Sequence, residues 1–316
     1  MRILFMGTPD FAVPTLQTLI DSDHQVIGVV TQPDKPRGRG GKMHASPVKE
    51  MAVEAGLPVY QPRRVRDEAF LFEVRRLAPD VIVVVAFGQI LSKEILEIPE
   101  YGCLNVHASL LPHLRGAAPI QWSVIQGDRE SGVTIMQMDE GLDTGDILLT
   151  QTYTLEEKET GGSLFERLSR LGGPMILKVL EDARQGKLHP VPQNDEEHTY
   201  AKMLTKATGK LDFTRSAVEL ERLIRGLNPW PSAYTYIHGK MLKVWEAEVV
   251  PGGDIARIKP GDILTVEKDS FTVQTGEGAL RLLSVQIEGK KRMDTAAFLR
   301  GCRVEEGDYL GKEADE

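Results

Sequence analysis

Asp80-Val81-Ile82-Val83-Val84-Val85-Ala86-Phe87 limits what this chain can fold into more than any other stretch. Branched side chains favour an extended backbone, and both faces of the run are apolar. It is therefore expected as a central strand of a parallel sheet covered on each side. The preceding sequence keeps the rhythm that such a sheet needs. Arg2 to Met6 begins as an apolar strand, Gly7 turns it, and Ala12 to Ile20 has helical apolar spacing with Pro14 in its first turn. Val26 to Thr31 is a second strand, a helix capped by Ser46 runs from about Pro47 to Ala55, Val59-Tyr60 is a short strand, and a helix spans Asp67 to Leu77. Strand and helix alternate, which predicts an α/β domain.

At 316 residues and 41% hydrophobic content the chain has material for two domains. Ile147 to Leu155 predicts a strand, and Ser163 to Arg184 one long helix kinked at Gly172-Gly173-Pro174. Lys187 to Asn194, with Pro190 and Pro192, suggests a linker. The rhythm then changes to a helix at Ser216 to Gly226 and short strands at Ala233–Ile237, Met241–Val249, Asp262–Val266, Phe271–Thr275 and Leu280–Ile287. That spacing predicts a small β-barrel. The expected division is residues 1–188, a linker at 189–205, and residues 206–316.

Two distant cysteines, Cys103 and Cys302, make no disulfide framework and point to a reducing cytoplasm. No spacing suggests a metal site. Met1-Arg2 leads straight into a strand, leaving no room for a signal peptide, and the longest apolar run is far too short to span a membrane. A soluble protein is expected. The net charge of −8 argues against a nucleic-acid partner only if charge is evenly spread. Six acids fall in the last twelve residues, whereas Lys35, Arg37, Arg39 and Lys42 share one loop, Lys202, Lys206 and Lys210 follow the linker, and Lys290, Lys291 and Arg292 cluster near the end. Each basic cluster taken singly is equally a solvated surface.

Chemistry concentrates between Gly102 and Asp146. On a strand with a two-residue side-chain period, Asn105 and His107 project from the same face. Pro112 and Gly116 end that strand in a loop, so both residues stand near its carboxyl end, where open α/β sheets bind ligands. Gly132 to Met138 forms another strand, and the turn after it brackets Leu142-Asp143-Thr144 between glycines that can aim Asp143 back at the sheet. A site of Asn105, His107 and Asp143 results. The same residues can also satisfy buried backbone groups and cap a turn. A dinucleotide site is set aside, because only Gly7 of the three glycines is present and Pro9 takes the second place. The loop from Gln32 to Ser46 is too long and irregular to be a plain connector.

Asn105-x-His107-x-Ser109-Leu110-Leu111-Pro112 followed by Asp143 resembles the Asn/His/Asp site of the folate-dependent formyltransferases. Further matches resemble the branch of that family that acts on methionyl-tRNA. These are Phe5 to Pro14, Thr31 to Gly40, Arg115-Gly116-Ala117-Ala118-Pro119-Ile120-Gln121, Met138 to Gly145, and Asn228-Pro229-Trp230-Pro231-Ser232-Ala233. The likeness covers almost the whole chain with no departure at a functional position. It implies a Rossmann-like, mostly parallel sheet domain followed by a small OB-like β-barrel, with 10-formyltetrahydrofolate as formyl donor and aminoacylated initiator tRNA as acceptor. It also implies folate contacts at Ser109, Leu110, Leu111, Pro112, Phe87, Gly88, Ile90 and Asp139, and tRNA contacts at Arg39, Arg37 and Lys42. Phe87 and Ile90 are equally explained as core, and Ser109 to Pro112 as a turn. A cytoplasmic monomer without metal is expected.

Formyl transfer requires donors for a tetrahedral oxyanion, expected from Asn105 and His107, and an acceptor for the ammonium proton, expected at Asp143. Four other activities use parts of this pattern. A sugar or glycinamide-ribotide formyltransferase shares Asn/His/Asp but has no need of the Arg37-Gly38-Arg39-Gly40 loop or a basic barrel. A 10-formyltetrahydrofolate hydrolase would replace the amine by water. A thiol hydrolase pairing Cys103 with His107 faces about 13 Å of extended chain between them. A non-catalytic tRNA-binding module would leave the site idle.

Overall fold

Val81–Val85 is a strand buried along its whole length, inside a seven-stranded sheet. The computed structural model describes residues 1–37, 42–254 and 256–311. By their contacts the residues form two units, one of Met1–Pro119, Glu130–Thr154 and Phe165–Ala201, the other of Ile120–Arg129, Leu155–Leu164 and Lys202–Glu316.

In chain order the elements begin with β1 (Arg2–Gly7), α1 (Val13–Ile20), β2 (Gln25–Val30), β3 (Lys35–Arg37), β4 (Lys42–His44), α2 (Pro47–Glu54) and β5 (Val59–Tyr60). Next come α3 (Glu68–Leu77), β6 (Val81–Val85), α4 (Lys93–Leu96), β7 (Cys103–His107), β8 (Arg115–Gly116) and α5 (Pro119–Gln126). They continue with β9 (Glu130–Gln137), β10 (Ile147–Thr154), α6 (Gly161–Ser169), α7 (Gly172–Arg184), β11 (Tyr200–Ala201) and α8 (Ala217–Gly226). The last are β12 (Ala233–Ile237), β13 (Lys240–Val250), β14 (Ile263–Val266), β15 (Phe271–Gln274), β16 (Ala279–Ile287), β17 (Met293–Asp294) and α9 (Thr295–Gly301).

The sheet of the first unit runs β10-β9-β7-β6-β1-β2-β5. The five strands from β5 to β7 are parallel, while β9 and β10 pair antiparallel at one edge. The chain builds outward from β1 through β2 to β5, then returns to β6 and β7 on the other side of β1. This reversal puts the topological switch point at β1 and β6, whose carboxyl ends are where doubly wound sheets bind ligands. Local signals set the helices that cover it. Ser46 Oγ accepts from the Lys49 N–H at 3.1 Å to start α2, and each such cap is worth about 1 kcal/mol.

The apolar spacing over residues 163–184 predicts one long helix, and the structure has two, α6 and α7. Pro174 has no N–H to give an interior turn, but it is accommodated in the first turn of a new helix. The paired glycines have a packing reason. A Cβ on Gly172 would lie 2.7 Å from Thr15 Oγ1, and one on Gly173 would lie 2.3 Å from Thr18 Oγ1, so α7 meets α1 at a distance only glycine permits. Within the loop from Gln32 to Ser46, β3 and β4 pair antiparallel from Lys35↔His44 to Arg37↔Lys42, a pairing that the irregular composition does not announce. Arg39, at which a tRNA contact is expected, lies outside the described residues.

The second unit is an antiparallel sheet ordered β12-β13-β16-β15-β14, with β17 on β16. Its two edges are joined by the last described segment. The Ile263 N–H on β14 donates to Asp308 O at 2.8 Å, and the Gly311 N–H donates to Tyr236 O on β12 at 2.9 Å. Residues 308–311 thus satisfy edge groups that an open sheet leaves unpaired, which gives the unit its barrel character. Leu220, Leu223 and Ile224 of α8 are buried. Full burial of such a side chain contributes about 1.5–3 kcal/mol. The helix starts with a reciprocal cap, in which the Glu219 N–H donates to Ser216 Oγ at 3.3 Å and the Ser216 N–H donates to Glu219 Oε2 at 3.1 Å.

Candidate active site

Strand β7 carries Asn105 opposite Met136 and His107 opposite Thr134 of β9. Both side chains point from one strand face, as the period of two requires, and only 8% of Asn105 and 6% of His107 is exposed. His107 Nε2 lies 3.0 Å from Leu114 O. A carbonyl can only accept, so Nε2 carries a hydrogen and donates it there. Nδ1 is the nitrogen left for chemistry. It lies 3.7 Å from Asp143 Oδ1, and Asn105 Nδ2 donates to the same oxygen at 3.4 Å.

The other oxygen of Asp143 is already engaged, since Oδ2 accepts the Gly116 N–H at 2.8 Å. Asp143 sits at φ +56 and Leu114 at φ +58. Both are left-handed positions that cost non-glycine residues about 1–3 kcal/mol and persist only where surroundings over-determine them. Several contacts supply that determination. Asp139 Oδ1 accepts from the Gly141 N–H at 3.0 Å and from Thr144 Oγ1 at 2.7 Å. Gln193 Nε2 donates to Asp143 O at 2.9 Å and to Gly145 O at 2.7 Å. Asp139 is therefore a residue whose carboxylate shapes the turn that carries Asp143.

The expected folate residues divide into two kinds. Phe87 is 2% exposed and belongs to the core under β6, whereas Ile90 is 77% exposed. The Phe87 carbonyl accepts from Thr8 Oγ1 at 3.1 Å, a bond that ties the end of β6 to the end of β1. Gly88 holds φ +82, which a side chain would oppose. Lys93 Nζ lies 3.9 Å from Glu140 Oε1, which brings the segment after β6 beside the Asp143 turn with its exposed Leu142. Ser109 is buried and its hydroxyl donates to His113 O at 2.6 Å. The Leu111 N–H donates to Thr134 Oγ1 at 3.2 Å. Ser109 to Pro112 therefore form a fixed loop in which Leu110 and Pro112 remain half-buried.

Cys103 does not fit a nucleophile. It is fully buried, and burial pushes its thiol up to about 12, far from the thiolate that attack requires. Its Sγ donates to Ile95 O at 3.9 Å. Among the described residues no group of three or more His, Cys, Asp or Glu could hold a metal ion. No helix among them is long and apolar enough to cross a membrane.

Gln193 and Thr199 reach the site although the sequence marks neither of them, and Arg115, which the resemblance includes in a matched stretch without a role, reaches it through Gln193. Gln193 bonds to residues 48 and 50 positions away, so no local pattern reveals it. The expected linker is itself hydrogen-bonded along the first unit. Val191 exchanges two 2.9 Å backbone bonds with Ile147, and β11 pairs with β8.

The class that this fold and its edge site define is that of formyl transferases. Residues 1–180 match the Formyl transferase family and residues 203–303 the Formyl transferase, C-terminal domain, so the chain belongs to the formyl transferase family. Within it, the chain is 58% identical over 315 residues to the methionyl-tRNA formyltransferase of Lachnospira eligens, covering 99% of this chain and 100% of the relative. Two solved structures share the fold. One is WlaRD, a sugar 3N-formyl transferase solved in the presence of dTDP and 5-N-formyl-THF, with a TM-score of 0.65 at 16% identity, covering 92% of this chain and 99% of that one. The other is HypX from Aquifex aeolicus in complex with tetrahydrofolic acid, with a TM-score of 0.61 at 19% identity, covering 99% of this chain and 51% of that one.

Proposed function

We propose that this chain transfers the formyl group of 10-formyltetrahydrofolate to the free α-amino group of methionyl-tRNA, the reaction that prepares the initiator for translation. The observation that carries the reading is the convergence of Asn105 Nδ2 and His107 Nδ1 on Asp143 Oδ1, at 3.4 Å and 3.7 Å, beside the switch point of the sheet. The near full-length likeness to methionyl-tRNA formyltransferases supports the acceptor.

The amine attacks the formyl carbon and a new C–N bond forms, leaving a tetrahedral oxyanion and an ammonium. Asn105 Nδ2 donates to that oxyanion, and His107, with its Nε2–H committed to Leu114, donates from Nδ1 as the imidazolium. One preorganised donor of this kind is worth about 3 kcal/mol. Asp143 takes the ammonium proton through Oδ1, directly or across a water, because Gly116 occupies Oδ2. The oxyanion then re-forms the carbonyl and the C–N10 bond breaks as N10 gains the proton that Asp143 took up, directly or across a water. The amine is itself the nucleophile, so no covalent enzyme intermediate is needed.

Exposed Ile90 and Leu142 suit the flat pterin of the donor, with Phe87, Gly88, Asp139 and the Ser109-Leu110-Leu111-Pro112 loop framing it. Arg37, Arg39 and Lys42 supply cations for the acceptor stem. The labour is divided between a catalytic segment at 1–188, a connection at 189–205 and a tRNA-binding segment at 206–316. The enzyme acts as a cytoplasmic monomer, and the transfer as written uses no metal. Supplying donor labelled in the formyl carbon tests the whole reading. Label on methionyl-tRNA supports it, label on amino sugars alone assigns a small-amine transferase, and release as formate alone assigns a hydrolase.

A further inference from the structure

Residues 191–201 fall where the sequence suggests a connection between domains, yet within the first unit they pair with β8 at Tyr200–Ala201 and bond both to the turn that carries Asp143 and to Leu114, whose carbonyl His107 contacts. Gln193 is the first anchor. Its Oε1 accepts from Arg115 Nε at 3.0 Å, and Arg115 is only 2% exposed, with Nη2 donating to Asp195 Oδ1 at 2.8 Å. A guanidinium can only donate, which fixes the orientation of the Gln193 amide and turns its NH2 toward the carbonyls of Asp143 and Gly145. Those carbonyls bracket the turn that carries the carboxylate facing Asn105 and His107. Thr199 is the second anchor. Its Oγ1 accepts the Leu114 N–H at 2.8 Å, its backbone carbonyl accepts the Arg115 N–H at 2.8 Å, and Leu114 O is the acceptor for His107.

We propose that residues 191–201 are a positioning strap, in which Gln193 sets the Asp143 turn and Thr199 sets the Leu114 carbonyl that orients His107. Arg115 is the buried post to which the strap is tied. None of the three touches the reacting atoms in this scheme, and each acts through Asp143 or His107. The inference rests on the formyl-transfer reading of the Asn105, His107 and Asp143 site. It adds that catalysis depends on a segment remote in sequence that a domain division would treat as a tether.

The physical signature is a fall in turnover without a matching change in fold or donor binding. A misplacement of about 1 Å at a catalytic group can cost about 100-fold in rate. Gln193→Glu is the decisive substitution. It keeps the size and strengthens the bond to Arg115, but it turns an acceptor oxygen on two carbonyls that can only accept. A role limited to holding the segment down predicts that Gln193→Glu is tolerated. The strap predicts that it is at least as damaging as Gln193→Ala.

The test measures kcat and KM for both substrates, and the melting temperature, in the full chain carrying Gln193→Glu, Gln193→Ala, Thr199→Val, Asp143→Asn, and Asp143→Asn combined with Gln193→Glu. Expected is a fall in kcat of about 10-fold to 100-fold in Gln193→Glu with little change in KM for the folate donor. The same substitution should add almost nothing in the Asp143→Asn background, because the two act as a unit. Should Gln193→Glu not fold, Gln193→Ala and Thr199→Val carry the same expectation. Wild-type kcat in the folded Gln193 variants, with Asp143→Asn inactive, overturns the strap. Wild-type kcat in Asp143→Asn overturns instead the reading of the site on which the strap rests.

Discussion

The backbone N–H of Gly116 donates to Oδ2 of Asp143 at 2.8 Å, so half of the carboxylate is held by main chain and only Oδ1 is left to face Asn105 and His107. Gly116 can do this because it sits at φ +106, where a Cβ would come within 2.9 Å of Ala201 O on the neighbouring strand. The glycine therefore serves two ends at once. It lets β8 pair with β11 and it aims an N–H at the acid.

Gly116→Ala should accordingly damage both stability and rate. The added methyl meets backbone rather than a flexible side chain, and the φ is one that alanine resists, which costs more than about 1 kcal/mol. A lower melting temperature together with a drop in kcat larger than the change in KM is expected. Thermal melting and steady-state kinetics check both, and an unchanged kcat would separate this bond from catalysis.

Asn105→Ala and His107→Ala should each lower kcat by about 100-fold or more, because each removes a transition-state donor, with smaller effects on folate affinity. Asp143→Asn should be as severe. If its carbonyl oxygen keeps the Gly116 bond, its NH2 faces the Asn105 amide and an imidazole, and no base remains at the Oδ1 position. Near-normal turnover in any one of the three variants removes that residue from the mechanism.

Cys103 should resist alkylation in the folded protein at neutral pH, because burial keeps its thiol protonated up to about 12. Iodoacetamide followed by peptide mapping should find it unmodified until the chain is unfolded. Cys103→Ser should keep substantial activity, the new hydroxyl taking over the bond to Ile95 O. Complete loss of activity in a folded Cys103→Ser protein would return the thiol to the mechanism.

Arg39→Ala should cost activity with methionyl-tRNA far more than it costs folate binding. Removing a cation from one phosphate should also flatten the dependence of log affinity on log salt by about 0.7 to 0.9. Filter binding across a salt series, with equilibrium binding of the folate alongside, measures the two. An unaltered salt slope would leave Arg39 as solvated surface.

Elements governed by neighbouring residues are legible in the chain as written. The valine-rich run at 81–85 is buried on both faces because no polar side chain interrupts it. Ser46 and Ser216 cap their helices because a short hydroxyl beside a first turn finds the free N–H groups there. Asn105 and His107 share a face because side chains alternate along any strand. Other features depend on distant partners. The antiparallel pairing of β9 with β7 is hidden in the sequence, since alternation is the same for either strand direction. Pro174 marks where α6 gives way to α7, but the close packing of Gly172 and Gly173 on Thr15 and Thr18 of α1 is recorded in no helical pattern.

At the site the division is the same. The candidate groups are legible in the chain, because donor and acceptor types are properties of single residues and the two-residue period sets which of them are neighbours on a strand. Which of their atoms are free and which are engaged follows from packing alone. His107 Nε2 is spent on Leu114, Asp143 Oδ2 on Gly116, and the Asp143 turn is held by Gln193 from 50 residues away. Hydrogen bonds of that kind are directional and close over long loops, so they are settled only when the elements that carry their ends have packed.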